Sequence, residues 1–367
     1  MLKSCFSLLQ FQSNLSITRL FQLKRLINSK FLRLYSTTNK ISKLPEKKTT
    51  NKLISCLKLM RADKPIGTWL LYWPGAWSIA LSASPGCLPD AYLLGLFGVG
   101  SFLMRSSGCI LNDLWDQDID KKVARTKSRP LANGELTEKE AVLLLGGLLS
   151  ASLAVLLQLN SLSIILGASS LWLVVVYPLA KRFTNWPQLV LGATFNWGAL
   201  LGCTAVTGKF VPEICIPLYL ACICWTMIYD TIYAFQDKKE DILIGLGSTA
   251  ITFDKNREAW LNFFGLTMML NLLYSGYMQE LPWPFFVSLL VSSSHLIWQI
   301  KTLKIDNNSD CLKKFNSNKF IGITILIGII LSNLIKNKEE IIMEERDDEE
   351  EENYGINKRN MNINFYC

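Results

Sequence analysis

Apolar runs long enough to cross a bilayer recur along almost the whole chain, at about 68–83, 91–111, 139–158, 161–180, 188–207, 213–235, 258–277, 282–300 and 319–335. A hydrocarbon core of ~30 Å needs roughly 20 apolar residues at helical rise. The runs, from about 16 to 23 residues, suit single spans. Clusters such as Ser84-Pro85-Gly86 and Leu281-Pro282-Trp283-Pro284 punctuate them. The expected fold is therefore an all-α integral membrane protein, a bundle of about nine transmembrane helices around a central cavity.

Composition agrees. Half of the 367 residues are hydrophobic and 19% are charged, against about 25% in soluble domains. The charges are sorted by side. With nine spans, the pre-helix segment and the loops after spans 2, 4, 6 and 8 share one face. That face holds Lys58, Arg61, Lys64, Lys121, Lys122, Arg125, Lys127, Arg129, Lys181, Arg182, Lys238 and Lys239, with further lysines beyond. The opposite loops hold only Lys209 among basic residues. This is a positive-inside asymmetry.

The ends differ from the middle. Residues 1–45 carry eight basic residues and no acid. They are rich in Leu, Phe and Ser, the make-up of a mitochondrial transit peptide, with a cleavage neighbourhood near Ser36. The polytopic domain is expected over 46–335. Residues 336–367 form an acidic, Asn-rich segment of the kind that stays disordered. In the inner membrane, the charged loops would face the matrix. The ten cysteines form no C-x-x-C pair, and the single histidine, His295, lies in an apolar run. A disulfide framework, a zinc site and a Ser-His-Asp mechanism are excluded, and a structural role is expected for His295.

Two carboxylate clusters carry the chemistry. Asn112-Asp113-Leu114-Trp115-Asp116-Gln117-Asp118-Ile119-Asp120 ends span 2, and Tyr229-Asp230 through Asp237-Lys238-Lys239-Glu240-Asp241 ends span 6. On a helix, Asn112, Asp116 and Asp120 share one side, as do Asp230, Asp237 and Asp241. Two such rows on one face repel unless cations lie between them. Mg²⁺ takes oxygen ligands and typically joins one or two carboxylates to substrate phosphates. Lys181, Arg182, Arg129 and Arg125 lie where they would offset a diphosphate's charge. Arg105 stands inside span 2, at a cost of roughly 2.5–3.5 kcal/mol on insertion scales. It lies two turns before Asn112, so it faces the same place, and its fork suits a carboxylate.

These segments, in this order and spacing, resemble the UbiA superfamily of intramembrane aromatic prenyltransferases. The resemblance runs from about Leu57 to Leu303. It is carried by Arg61-Ala62-Asp63-Lys64-Pro65-Ile66-Gly67-Thr68, Met104-Arg105 through Asp120, Arg125-Thr126, Arg129-Pro130-Leu131, Tyr177-Pro178 with Lys181-Arg182, Thr194-Phe195-Asn196-Trp197-Gly198, and Tyr229-Asp230 through Ser248-Thr249-Ala250. It implies that Asn112, Asp116 and Asp120, with their neighbour Asp113, form one metal-diphosphate motif and that Asp237 and Asp241 form the other. It implies that Arg105 binds an aromatic acid, that Lys181 and Arg182 lie near the diphosphate, and that Asp230 orients or deprotonates a phenol. The implied cofactor is Mg²⁺. The implied substrates are a polyprenyl diphosphate and 4-hydroxybenzoate, joined ortho to the hydroxyl in ubiquinone biosynthesis. The bilayer and other ubiquinone-biosynthesis proteins are the further partners, with no nucleic acid. Lys127 and Ser128 stand where the family commonly has Ala and Asn, and Gly247 stands where a basic residue usually precedes Ser-Thr-Ala.

Two other readings stay open at this stage. The acceptor is another aromatic or haem-like molecule, or the protein transports an anionic metabolite. A transporter is expected to gather polar groups near the midplane on broken helices, whereas these clusters lie at helix ends. Trp69, Trp197 and Tyr233 are candidates to face an allylic cation, with ordinary packing as their plain alternative.

Overall fold

The computed structural model describes residues 51–121 and 126–336. The expected leader (1–45), Arg125 and the acidic tail beyond residue 336 lie outside the described residues. A short helix α1 (Lys52–Leu59) leads through Arg61 into α2 (Ile66–Leu81). Then come α3 (Ala91–Trp115), the single turn α4 (Gln117–Asp120), α5 (Glu138–Leu156), α6 (Ser161–Ser169) and α7 (Leu171–Phe183). They are followed by α8 (Pro187–Phe195), α9 (Gly198–Thr207), α10 (Pro212–Ala234), α11 (Lys238–Ile244) and α12 (Thr249–Thr252). The last three are α13 (Arg257–Met278), α14 (Trp283–Lys301) and α15 (Asn308–Ile335). No strand occurs among the described residues.

Every predicted apolar run carries helix. Two of the runs are interrupted, at Ser170 between α6 and α7 and at Asn196-Trp197 between α8 and α9. By length and composition, five helical stretches are able to cross a membrane: α3, α5, α8 with α9, α10 and α15. Local signals set the helix starts. Asp90 caps α3 by accepting from the N–H groups of Tyr92 (2.8 Å) and Leu93 (3.1 Å). Thr137 and Glu140 form a capping box at α5, and Asn307 caps α15.

α10 is the centre of the bundle. Of its most apolar window 72% is buried inside the protein, against 11% for α5. It packs on α13, α8, α15 and α9, while α5 lies against α3. α5 turns Leu143 and other apolar side chains outward, as a lipid-facing helix does. Three indole and amide groups at the core find partners that lipid would not supply. Trp77 Nε1 donates to Gly322 O (2.9 Å), Trp225 Nε1 to Asn318 Oδ1 (2.9 Å) and Asn333 Nδ2 to Ala80 O (2.7 Å). His295 pairs with Ser317 Oγ (3.0 Å) and packs on Trp298, the structural place expected for it.

α2 and α9 are joined more closely than by packing. Ser78 Oγ donates to Ala199 O (2.6 Å) and accepts from Cys203 N (2.7 Å). Its hydroxyl is thus spliced into the i→i−4 ladder of α9, a recognised cause of helix bending. Gly202 makes the approach possible, because a Cβ there would lie 2.5 Å from Ser78 Cβ.

Candidate functional site

The first acidic motif keeps its register across a helix break. α3 ends at Trp115, and Asp116 takes φ −100°, ψ 10°. Even so, Asp116 N–H bonds Asn112 O (3.0 Å) and Asp120 N–H bonds Asp116 O (2.8 Å). Asn112, Asp116 and Asp120 therefore remain stacked one turn apart, as their spacing predicts.

Asp113 has a different environment. It is 2% exposed, and both its oxygens accept from Arg61 Nη2 (2.9 and 2.8 Å). Arg129 Nη1 donates to Asp113 Oδ1 (3.0 Å) and also to Asp120 Oδ2 (2.6 Å). Two guanidinium groups and two carboxylates thus form one node. It ties the end of α3 to the turn after α1 and to the segment after residue 126. The sequence placed Asp113, Asp120 and Arg129 among the groups that meet metal or diphosphate, whereas the structure pairs them with one another. Arg61 was not singled out as a site residue. Its signal was its charge three residues before Lys64-Pro65, and pairing across 52 residues is invisible to local spacing.

The second motif is split. α10 stops at Ala234, and two i→i−3 bonds tighten the turn that follows: Gln236 N–H to Tyr233 O (3.2 Å) and Asp237 N–H to Ala234 O (3.1 Å). Asp230 therefore belongs to α10, while Asp237 is the N-cap residue of α11 and Asp241 lies within it, stacked by the Asp241 N–H bond to Asp237 O (2.8 Å). The single stripe Asp230–Asp237–Asp241 assumed an unbroken helix, which the tight turn removes. Gly245, at φ 77°, ends α11 in the left-handed conformation that suits glycine.

The loop after Gly245 is clamped to the segment after α7. Gln188 Oε1 accepts from Thr249 N (3.1 Å), Thr252 Oγ1 donates to Asn185 O (3.3 Å), and the hydroxyls of Thr231 and Thr249 are 2.6 Å apart. A Cβ at Gly247 would lie 2.2 Å from Thr184 O. The neighbouring backbone fills the space of a side chain there, so the departure from a basic residue has a steric basis in this chain. Lys238 pairs with Asp254. Lys181 and Arg182 stand in the last turn of α7, next to this clamp; their side chains lie outside the described residues.

Tyr177 stands on α7, which touches α3, the helix that carries Arg105 and ends just before Asp116. Arg105 lies against α2, where a Cβ on Gly67 would come within 2.3 Å of its Nε. Its guanidinium sits 5.7 Å from the centre of the Phe195 ring, within cation–π range. Trp197 donates to Leu166 O (2.8 Å) and Tyr233 packs on Phe315, so both serve packing. Trp69, partly exposed, stacks on Trp73 at 5.1 Å. A groove of about 720 Å³ opens beside α4, lined by Gln117, Lys121, Asn133 and Lys139 among others.

The donor chemistry fits magnesium held jointly with a substrate. No three His, Cys, Asp or Glu side chains among the described residues gather into a self-sufficient cage. Asn112 with Asp116 in the first motif, and Asp237 with Asp241 in the second, offer one or two hard oxygens each. Magnesium bound with phosphate oxygens and waters asks for that arrangement.

Residues 71–323 match the model of the UbiA prenyltransferase family. Over 287 residues the chain is 55% identical to the mitochondrial 4-hydroxybenzoate polyprenyltransferase of Caenorhabditis elegans, covering 78% of this chain and 81% of that protein. The protein of the same description from Homo sapiens is 53% identical over 283 residues, covering 77% and 76%. Among solved structures, the apo UbiA homolog from Aeropyrum pernix K1 superposes with a TM-score of 0.61 at 25% identity, covering 72% of this chain and 97% of that one. A UbiA homolog from Archaeoglobus fulgidus bound to GPP and Mg²⁺ shares the fold with a TM-score of 0.55 at 20% identity, covering 75% and 99%. The chain belongs to the UbiA prenyltransferase family.

Proposed function

We propose that this protein transfers a polyprenyl group from polyprenyl diphosphate to the ring carbon ortho to the hydroxyl of 4-hydroxybenzoate, giving 3-polyprenyl-4-hydroxybenzoate for ubiquinone biosynthesis. The observation that carries the reading is the stack of Asn112, Asp116 and Asp120 at the end of α3, with Arg105 two turns before it, seated against Gly67 and the Phe195 ring. Identity above 50% to proteins of that activity across most of the chain supports it.

In this reading Arg105 holds the acceptor's carboxylate. Its half-buried fork is seated against Gly67 and the Phe195 ring and recognises a planar anion bidentately. Asn112 and Asp116, with Asp237 and Asp241, hold the magnesium. When bound, magnesium offsets the negative charge that grows on the diphosphate as its C–O bond breaks. Lys181, Arg182 and Arg125 add positive charge around the leaving group. The diphosphate leaves with the bonding pair, the ring carbon forms the new C–C bond, and the displaced ring proton goes to base. Asp230 orients the phenol or takes its proton, so that electron density rises at the ortho carbon. The apolar helices around the site exclude water, which would otherwise capture the allylic cation.

The site is placed at the matrix side of the mitochondrial inner membrane, with about nine crossings. The basic loops on one face support that orientation. Residues 1–45 act as the cleaved leader, 46–335 as the catalytic domain, and the bundle associates with other ubiquinone-biosynthesis proteins.

The test is mass spectrometry of the product made by the protein in membranes from geranyl diphosphate, 4-hydroxybenzoate and Mg²⁺. Prenylated acid that disappears with EDTA is expected. Absence of that product, together with metal-independent uptake of either anion into vesicles, would overturn the proposal.

A further inference from the structure

Thr194-Phe195-Asn196-Trp197-Gly198 interrupts an apolar run, and the roles above use only its Phe195. Asn196 sits at the break between α8 and α9 and is fully buried. Its Nδ2 donates to Gly192 O (2.7 Å) and to Thr226 Oγ1 (2.8 Å). Its Oδ1 has no hydrogen-bond partner among the described residues. An amide kept in an apolar interior with half its capacity unused calls for an explanation beyond filling space.

We infer that Asn196 is a positioning residue that acts through Thr226 on Asp230. The inference rests on the reading of Asp230 as the group that orients the acceptor's phenol. Hydrogen counting gives the network a direction. A threonine hydroxyl has one proton to donate, and that of Thr226 goes to Cys222 O (3.0 Å). Thr226 Oγ1 therefore accepts from Asn196 Nδ2 and also from the Tyr229 hydroxyl, 3.0 Å away. The proton of Tyr229 is committed to this bond, so Tyr229 anchors rather than transfers. Its ring is held edge-on by Trp225 (5.5 Å) and Phe315 (5.9 Å).

The consequence falls on Asp230. Thr226 and Asp230 are four residues apart on α10 and share one face, and Tyr229 lies beside Asp230 in sequence. The bonds to Asn196 fix the rotation of this part of α10 relative to α8. α8 ends at Phe195, the ring beneath Arg105. The network thus sets the spacing between the group that holds the acceptor's carboxylate and the group that meets its phenol.

The experiment compares Asn196→Ala, Thr226→Val, Thr226→Ser and the double variant Asn196→Ala/Thr226→Val in the full chain. It measures kcat, KM for both substrates and the thermal midpoint in detergent. The expected result is a tenfold or larger fall in kcat with a raised KM for 4-hydroxybenzoate in the first two variants. KM for the diphosphate should stay within twofold. Thr226→Ser, which keeps the hydroxyl, should retain activity, and the double variant should lose no more than the worse single one, as coupled partners do. Losses that multiply in the double variant, or that fall equally on diphosphate KM, would overturn the inference. If Thr226→Val fails to accumulate, Asn196→Ala carries the same kinetic comparison, and wild-type kinetics there would sink the idea. An unmutated chain that makes no prenylated 4-hydroxybenzoate would defeat the functional reading first, and this inference with it.

Discussion

Arg61 grips both oxygens of Asp113, at 2.9 and 2.8 Å, from a backbone position whose own φ is 57°. A non-glycine residue in that region is uncommon. The left-handed turn brings the chain round so that its guanidinium reaches the end of α3. Arg129 meets the same carboxylate from the other side. Asp113 therefore serves as the fastening of the acidic motif.

Asp113→Ala should leave two guanidinium groups facing a partly buried, empty place. Breaking a buried pair by removing one partner costs about 3–5 kcal/mol, and the exposure of the two arginines places this one at the lower end. A drop in thermal midpoint together with lost activity is expected. Unchanged stability in detergent would contradict the fastening role.

Asp116→Asn and Asp237→Asn should behave in the opposite way. Each should abolish turnover while the folded protein stays in membranes with its thermal midpoint near that of the parent. Near-normal product formation by both variants would remove them from the metal site.

Gly67→Ala probes the seat of Arg105. The added methyl would come within 2.3 Å of Nε, and a displaced fork should bind the aromatic carboxylate poorly. KM for 4-hydroxybenzoate is expected to rise about tenfold, about 1.4 kcal/mol, with diphosphate KM unchanged. Equal effects on both substrates would mean that α2 itself has moved.

Gly247→Arg restores the residue type usual in the family at this position. The backbone of Thr184 occupies the space, so the substitution should force the two loops apart. Lower activity and lower stability are expected, and Gly247→Ala should show the same direction more mildly. A gain in activity from the arginine would show that the loops yield without harm.

Much of this was legible in the sequence because it depends on period and length. Apolar runs near 20 residues located the helices, and spacing by four located the Asn112–Asp116–Asp120 stack, which survives even the break at Asp116. What could not be read depends on contacts distant in sequence. No local pattern shows that Asp113 turns to Arg61, that Gly247 lies against Thr184, or that Ser78 enters the ladder of α9. The split between Asp230 and Asp237 was missed for another reason. A tight turn of two i→i−3 bonds leaves no glycine or proline as a marker.

Ser78 has a bearing on how the bundle assembles. Part of the backbone wiring of α9 is supplied by a side chain that enters the membrane more than a hundred residues earlier. In lipid, Cys203 N–H and Ala199 O find no water to take the place of that hydroxyl. The later segment completes its hydrogen bonding only after the earlier one lies beside it, so the order of insertion during synthesis is also the order in which α9 is wired.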